Sequence, residues 1–252
     1  MTRLQACHRI AYPPAFTLIE LLVVVSIIAL LVGILLPALG TSRKTAQRVI
    51  CGSNLRQMTT ALLSYLNDNR ESMFPARETV AGLGDRWWFG FEAQGGPTAE
   101  GQRILDRTRG RLFRYYETPD SVEICPSFAT QSPRYKPKFA TNWTTYGPAE
   151  KFMNGAAGPV TLRQILEPSR SLALGDSAQF NAFQAPASPA NPMFEQWHYI
   201  NRTGQHVHYV HGRTANAGMF DGHVALLEPD TALLLAFHEA PLGKPPAWIK
   251  VE

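Results

Sequence analysis

Residues 16–39 read FTLIELLVVVSIIALLVGILLPAL, and this stretch decides how the rest of the chain is organised. Its 24 residues contain a single charged side chain, that of Glu20. Roughly 20 helical residues cross the hydrocarbon core of a bilayer. Leu, Ile and Val occur on all sides of the predicted helix, so no face suits water. We therefore predict a membrane-spanning helix. The alternative is the core helix of a soluble protein, which is seldom as long or as uniformly apolar.

The carboxylate of Glu20 is out of place in such an apolar segment. A charged side chain costs roughly 2.5 kcal/mol or more at the centre of a bilayer, and less near the interface. In the first turn of a helix, the partial positive charge of the helix N-terminus favours a carboxylate. Cleavage of the chain just before Phe16 would create a free amine, which would give Glu20 a positive partner.

The sequence around Glu20 resembles a known signature. Residues 15–24, AFTLIELLVV, are similar to the cleavage and methylation segment of type IV prepilins and type II secretion pseudopilins. The resemblance implies that a prepilin peptidase cuts between Ala15 and Phe16 and then N-methylates the Phe16 amine. It also implies that Glu20 and Pro37 serve the assembly of subunits into a filament. The family nearly always has Gly before the cut, where this chain has Ala15.

The resemblance and the composition together predict four segments. These are a leader peptide (1–15), a transmembrane and assembly helix (16–39), an amphipathic stalk helix (40–69) and a periplasmic or exported globular domain (70–252). The expected fold class is α+β, a pilin-like fold in which the long N-terminal helix packs on an antiparallel β-sheet. With 45% hydrophobic and 17% charged residues, the chain is neither disordered nor a multi-span protein. Its net charge is +4, but the sequence has no recognised motif of basic and aromatic residues, so nucleic-acid binding is not expected.

The apolar run changes to an amphipathic pattern after Thr41, which predicts that the same helix continues to about Asn67. Pro37 can kink or locally melt this helix. The turn-forming residues 67–69 end it. The side chains expected to face the sheet recur mostly at helical spacing: Ala46, Val49, Ile50, Leu55, Met58, Leu62, Tyr65 and Leu66.

The chain has three cysteines. Cys7 lies in the leader and would be lost on cleavage. Cys51 and Cys125 remain as an even pair in a region expected outside the cytoplasm, where disulfides persist. A bridge between them would tie the stalk helix to the globular domain and contribute roughly 4 kcal/mol in the chain-entropy model. Two unpaired buried thiols are the alternative. The spacing of these cysteines to the histidines does not suggest a zinc site.

Short elements are predicted between residues 70 and 197. Residues 181–197 are rich in Pro and Ala and are expected to form an exposed loop. The aromatic residues 87–91 are expected to pack in the core, with a sugar-binding platform as the alternative. The predicted strands are 87–91, 123–125, 141–147 and 171–176, and the predicted short helices are 103–116 and 162–166.

Residues 206–227, HVHYVHGRTANAGMFDGHVALL, contain a second motif. Strands at 217–220 and 223–227 are joined by Asp221-Gly222, which predicts a type I′ hairpin turn with positive φ at both residues. His211, nine residues, then Asp221-Gly222 resembles the H-x9-DG motif at the C-terminus of prepilin-type processing-associated proteins, which carry the same N-terminal signature. We expect His211 and Asp221 to hydrogen-bond across the hairpin and fix its register.

The histidines near this motif allow a second interpretation. A metal site needs three or more converging ligands, and the dense local set consists of His198, His206, His208, His211, His223 and Asp221. The structural role is the simpler one, so we predict neither a metal nor a cofactor. Asp176, Asp221 and Asp230 match no calcium-loop signature. The nucleophile elbow of a hydrolase, G-x-S-x-G, is also missing from the sequence.

These features together predict a structural subunit and not an enzyme. The resemblance implies a single-pass pseudopilin-like protein of the bacterial inner membrane, with its N-terminus in the cytoplasm, that joins a type II secretion or type IV pilus-like filament. Its partners would be the prepilin peptidase, other pilin-like subunits and inner-membrane lipid. Charge counting alone favours the opposite orientation, because Arg43, Lys44 and Arg48 closely follow the span. The alternatives are a membrane-anchored ligand-binding protein that does not polymerise and an anchored metalloenzyme that uses the histidine set.

Overall fold

The computed structural model describes residues 17–116, 122–153, 160–201, 206–229 and 242–243. The chain divides into an N-terminal unit, Met1–Arg43, and a C-terminal unit, Lys44–Glu252. One long helix, α1, runs from Leu18 to Asp68, and antiparallel β-sheets form a globular domain. The predicted α+β fold class is therefore confirmed.

Helix α1 begins at a capping box. The Thr17 N–H donates to Glu20 Oε2 (2.8 Å), and the Glu20 N–H donates to Thr17 Oγ1 (3.2 Å). The two bonds satisfy backbone donors that a helix start otherwise leaves without partners. The helix continues through Pro37, so the local melting considered there does not occur. Proline removes only its own N–H from the ladder, and helix-forming Leu and Ala residues flank Pro37.

The described helical residues of the N-terminal unit are exposed on all sides. Their most apolar window of 18 residues has a mean hydropathy of 3.0, and none of it is buried. By length and composition, α1 could cross a membrane.

In the C-terminal unit, one face of α1 is buried in the core. The buried residues recur every three or four positions, as expected for one face of a helix that packs on a sheet. The expected burial of Ala46, Val49 and Ile50 is wrong, since Val49 and Ile50 are 64% and 50% exposed. Apolar residues continue along the helix, but burial begins only at Cys51. The buried residues of α1 are Cys51, Asn54, Leu55, Met58, Thr59, Ala61, Leu62, Tyr65 and Leu66.

The strands of the described residues form four antiparallel sheets. The first has the order β1-β2-β3, with β1 at Arg77–Val80, β2 at Gly84–Trp87 and β3 at Gly90–Ala93. The central sheet has the order β10-β9-β5-β4, with β4 at Tyr146–Pro148, β5 at Leu172–Asp176, β9 at Ala215–Met219 and β10 at Val224–Leu227. Strands β6 (Ala178–Asn181) and β7 (Met193–Gln196) pair, as do β8 (Val207–His208) and β11 (Leu242–Gly243). A short helix, α2, covers Glu150–Met153, and 3-10 turns cover Arg107–Arg109, Phe113–Tyr115 and Leu162–Gln164.

Several short elements differ from their predictions. Trp88 and Phe89 form the buried turn between β2 and β3, so the predicted aromatic strand is wrong, although its expected packing in the core is correct. Residues 103–116 form two 3-10 turns instead of a helix, since Gly110 breaks the helical pattern between them. Residues 123–125 form no strand, and β4 covers only the end of 141–147. The 181–197 loop ends in the fully buried strand β7.

The small residues of β9 let α1 approach the central sheet closely. All five residues of β9 are buried. A Cβ atom on Gly218 would lie 2.0 Å from Thr59 Oγ1. Thr59 is itself fully buried, and its hydroxyl donates to the Leu55 carbonyl at 2.8 Å. Position 218 therefore accepts only glycine without movement of the helix.

We expect Gly218→Ala to lower the free energy of unfolding of the C-terminal unit by about 1–3 kcal/mol, because the added methyl overpacks this contact. Urea unfolding of the full chain in detergent, followed by tryptophan fluorescence, measures the change. Gly52→Ala is the matched control, because its Cβ would meet Asn216 Oδ1 at an ordinary 3.6 Å. Adding Thr59→Ala to Gly218→Ala should recover part of the loss. Unchanged stability of Gly218→Ala would contradict the close packing.

Candidate functional site

The start of α1 is the first candidate site. Ala15 and Phe16, the residues of the predicted cleavage, lie outside the described residues. Glu20 lies in the first turn of α1, and its Oε2 also accepts the Thr17 hydroxyl at 2.7 Å. The capping role of Glu20 was missed by the sequence analysis, although the pattern Thr-x-x-Glu is a known signal for a helix start. Pro37 is exposed near the end of the apolar part of the helix.

The second candidate site surrounds a disulfide in the core. Cys51 of α1 and Cys125 form an S–S bond, the pairing that the sequence analysis put forward, and their Cα atoms lie 5.0 Å apart. Their exposed fractions are 0% and 1%. The Cys125 N–H donates to Thr145 Oγ1 at 2.7 Å, just before β4. The disulfide thus attaches the first buried residue of the stalk to the loop that leads into the central sheet.

The hairpin of the H-x9-DG motif differs from its prediction. Met219 N–H donates to the His223 carbonyl, and Gly222 N–H donates to the Met219 carbonyl, both at 2.9 Å. The connection is therefore a three-residue loop of Phe220, Asp221 and Gly222. Only Gly222, with φ at 91°, has positive φ in this loop, so the type I′ turn is wrong. The loop has one residue more than the predicted two-residue turn because Phe220 is buried in the core, with only 3% of its surface exposed.

The expected hydrogen bond between His211 and Asp221 is also wrong. Asp221 Oδ1 instead accepts the His223 N–H at 3.1 Å and lies 2.6 Å from His223 Nδ1, at an exposed turn. His211 and Asp221 lie beyond opposite ends of β9, and a strand of five residues is roughly 17 Å long. His211 points into the core, where its Nε2 lies 3.4 Å from Asp176 Oδ2 and 3.6 Å from Cys125 Sγ.

His211 belongs to a group of buried polar side chains around Asp176. Asp176 Oδ2 accepts the Asn216 N–H at 2.7 Å, whereas the buried Asp176 Oδ1 has no hydrogen-bond partner among the described residues. Burial, and then the negative charge of Asp176, raise the pKa of Tyr146 well above its ordinary value. We call this group the Asp176 cluster; its members are Cys51, Cys125, Tyr146, Asp176, His211 and Asn216.

The cluster contains a set of atoms that metals bind. The two cysteine sulfurs and one His211 nitrogen all lie within 4.8 Å of one another. The linear spacing of these residues gave no indication of a zinc site, because they come from α1, a loop and the segment before β9, which only the tertiary fold brings together. Asp221 and Asp176, two of the possible calcium ligands, lie apart at an exposed turn and in the core, and Asp230 lies outside the described residues.

The other histidines do not converge on one point within the described ranges. His223 is bonded to Asp221, and the ring of His208 contacts Phe128 with centroids 5.1 Å apart. His198 lies among aromatic rings, with its own centroid 5.0 Å from that of Trp87. Burial, and next the charge of Lys138, lower the pKa of His198 well below its ordinary value. The predicted alternative of one metal site built from the whole histidine set therefore has no geometric support.

Buried neutral histidines give the stability of the chain a pH dependence. Burial lowers the pKa of His208 to about 3 and that of His206 to about 4. Both ring nitrogens of His208 lack a hydrogen-bond partner within the described structure. The unfolded chain takes up protons near the ordinary pKa of about 6.5, whereas the folded chain does so only well below it. The stability that these neutral histidines contribute is therefore full above about pH 6.5. It falls as the pH drops from there toward the lowered pKa values of the folded chain.

We expect His208→Phe to raise the free energy of unfolding and to flatten its decline below about pH 6.5. The phenyl ring does not titrate and fits the apolar site without leaving unpaired nitrogens. Unfolding curves measured across the acidic range for the variant and the wild type give the difference. His223→Gln, at an exposed histidine, should leave the slope nearly unchanged. An equal slope for His208→Phe and the wild type would contradict the lowered pKa.

An open hollow of about 560 Å³ lies beside the β2–β3 hairpin. Charged side chains in its wall have partners within the structure. Arg103 Nε donates to Glu92 at 2.7 Å, and the Thr79 hydroxyl donates to Asp85 at 2.7 Å. Because these contacts already satisfy the charged groups, we interpret the hollow as a feature of the surface and not as a binding site for a charged ligand.

Comparison of the chain with protein-family models, with curated proteins and with solved structures finds no match. Function is therefore inferred from the residues and the geometry of this chain.

Proposed function

We propose that the chain is a membrane-anchored, pilin-like structural subunit, which a prepilin peptidase cuts between Ala15 and Phe16 and which assembles into a type II secretion or type IV pilus-like filament. One observation carries the proposal. The helical residues 18–39 are apolar except for Ser26 and one carboxylate, Glu20, in the first turn, and they are exposed on every side. Apolar surface of this extent is stable only when lipid or other apolar helices cover it.

The position of Glu20 fits a role between subunits. Its carboxylate accepts both hydrogen bonds that Thr17 donates at Oε2, which leaves Oε1 for a partner outside the described residues. In the proposed assembly, this carboxylate neutralises the Phe16 amine of a neighbouring subunit. A carboxylate and an ammonium group that meet in an apolar bundle stabilise one another where either alone would be costly.

The disulfide supports the proposed orientation, with the N-terminus in the cytoplasm and the globular domain outside it. Disulfides persist in oxidising compartments and are rare in the cytoplasm. The Cys51–Cys125 bond lies in the C-terminal unit. This argument opposes the charge count around the span, and it agrees with the orientation that the prepilin resemblance implies.

Mass spectrometry of the N-terminus in the native host tests the processing. We expect a chain that begins at N-methyl-Phe16, because the segment from Phe16 to Val24 resembles the signature of the peptidase substrate. Ala15→Gly should be cut at least as completely, and Ala15→Trp should stay uncut because its side chain is too large for a site that accepts Gly or Ala. An intact Met1 on the wild-type chain would contradict the proposal. A processed chain that cross-links only as a monomer in membranes would favour the non-polymerising anchored binding protein.

A further inference from the structure

We propose that the dithiol form of this chain binds one Zn²⁺ through Cys51 Sγ, Cys125 Sγ, His211 Nε2 and a carboxylate oxygen of Asp176. The inference does not depend on the proposed function. It starts from two observations in the Asp176 cluster. Two sulfurs and a histidine nitrogen lie within 4.8 Å of one another in the core. Asp176 Oδ2 lies 3.4 Å from His211 Nε2, and the other oxygen of that carboxylate, Oδ1, is buried with no hydrogen-bond partner in the described structure.

Two of the distances between the proposed ligand atoms match edges of a tetrahedral zinc site. With Zn–S and Zn–N bonds of ordinary length, the sulfur–nitrogen edge of a tetrahedron is about 3.5 Å. Cys125 Sγ lies 3.6 Å from His211 Nε2. The corresponding nitrogen–oxygen edge is about 3.3 Å. His211 Nε2 lies 3.4 Å from Asp176 Oδ2. These two edges are present while the disulfide is closed. On reduction the sulfur–sulfur edge has to open to about 3.8 Å, and the Asp176 carboxylate has to move closer to the sulfurs, since it lies outside the group of atoms within 4.8 Å of one another.

The surroundings hold the ligands in place. Zinc sites usually fix each ligand by a second hydrogen bond from the protein. Asp176 is held by the Asn216 N–H at 2.7 Å, and Cys125 by its own N–H to Thr145 Oγ1 at 2.7 Å. All four ligand residues are less than 9% exposed, so water competes little for the metal. Thiolate, imidazole and carboxylate are all ligands that zinc takes, and its structural sites are four-coordinate.

The chemistry makes zinc and the disulfide mutually exclusive. A dithiol or phosphine reductant breaks the S–S bond and supplies two electrons. The two sulfurs take up two protons, which come either from the dithiol, which becomes a disulfide, or from a water molecule, whose oxygen converts the phosphine to its oxide. Zinc then displaces both thiol protons, which pass to solvent. Bound zinc consequently protects the dithiol from oxidation: with free zinc at 100 times its dissociation constant, the unbound dithiol falls by about 100-fold.

Titration of the full chain in detergent with zinc tests the proposal. The chain carries Cys7→Ser to remove the third thiol and is reduced with a phosphine under anaerobic conditions. We expect one zinc per chain in competition with a chromogenic chelator. We also expect Co²⁺ to give the visible bands of four-coordinate cobalt and a sulfur-to-cobalt charge-transfer band. The same chain with its disulfide closed is the control and should bind no stoichiometric zinc. A reduced chain without stoichiometric zinc, or cobalt bands without sulfur ligation, overturns the proposal.

Single variants identify the ligands. We expect His211→Ala to weaken zinc binding by more than about 100-fold, since loss of a partner outside the ligand set already costs about 10–100-fold. Asp176→Asn should also weaken it, while His223→Ala and Asp221→Asn, at the exposed turn, should bind as the wild type does. Thiol titration of each oxidised variant shows whether the disulfide, and with it the fold around the site, still forms. A correctly oxidised His211→Ala or Asp176→Asn chain that binds zinc like the wild type when reduced overturns the proposed ligand set.

Discussion

Glu20→Gln is expected to abolish incorporation of the chain into filaments while the C-terminal unit stays folded. The side-chain oxygen of Gln can accept the Thr17 N–H as the carboxylate does, so the capping box at the helix start is kept. The substitution removes only the negative charge. In the proposed assembly this charge faces the Phe16 amine of a neighbouring subunit. An ion pair that loses one partner in an apolar environment leaves an unpaired charge, which costs about 3–5 kcal/mol.

Two further variants separate the two roles of Glu20. Thr17→Ala removes the hydroxyl of the capping box and keeps the charge, so its loss of about 1 kcal/mol should leave assembly largely intact. Glu20→Val removes both cap and charge and should fail as completely as Glu20→Gln. The measurement is the amount of each variant in sheared filaments, compared with its amount in the membrane. Normal incorporation of Glu20→Gln would contradict the charge pairing. If Thr17→Ala alone failed, the capping box would be the feature that assembly needs.

The sequence was most informative where a single periodic pattern or residue count determined the outcome. Continuous apolar residues and then an amphipathic pattern predicted a helix to about Asn67, and α1 ends at Asp68. The two cysteines outside the leader left one possible pair. The pattern did not show where burial starts, because Val49 and Ile50 have the same apolar character as the buried residues that follow. Exposure depends on whether a sheet lies opposite, and that is a property of the tertiary fold.

The partner of His211 could not be read from its motif. The motif places Asp221 ten residues further along the chain, and a hairpin suggested that the two side chains meet. In the structure β5 pairs with β9, with Gly175 opposite Ala217, which sets Asp176 beside Asn216 and within reach of His211. Such a contact depends on strand order between distant segments, which local patterns do not determine. The capping box of Thr17 and Glu20, in contrast, was visible as Thr-x-x-Glu and was overlooked.

Replacing both Cys51 and Cys125 with Ala should lower the free energy of unfolding of the C-terminal unit by about 4 kcal/mol. The two residues are 74 positions apart, and a bond that closes so long a loop restricts the unfolded chain strongly. Both cysteines are changed together because a single change would leave an unpaired thiol. Local hydrogen bonds remain in the variant, including the one from Asn54 Nδ2 to the Ile124 carbonyl at 3.3 Å. The loop therefore keeps its native contacts with α1, and the loss arises mainly from the unfolded state.

Urea unfolding of the full chain in detergent measures this change, with a chelator present so that zinc does not replace the disulfide. The wild type reduced under the same conditions should lose a similar amount of stability, since it also lacks the covalent link. A loss below about 1 kcal/mol in the double variant would contradict the expected effect of the loop. Adding zinc without the chelator should then restore stability to the reduced wild type and not to the double variant. Because only the wild type keeps the two sulfurs, this difference assigns the recovered stability to the metal site.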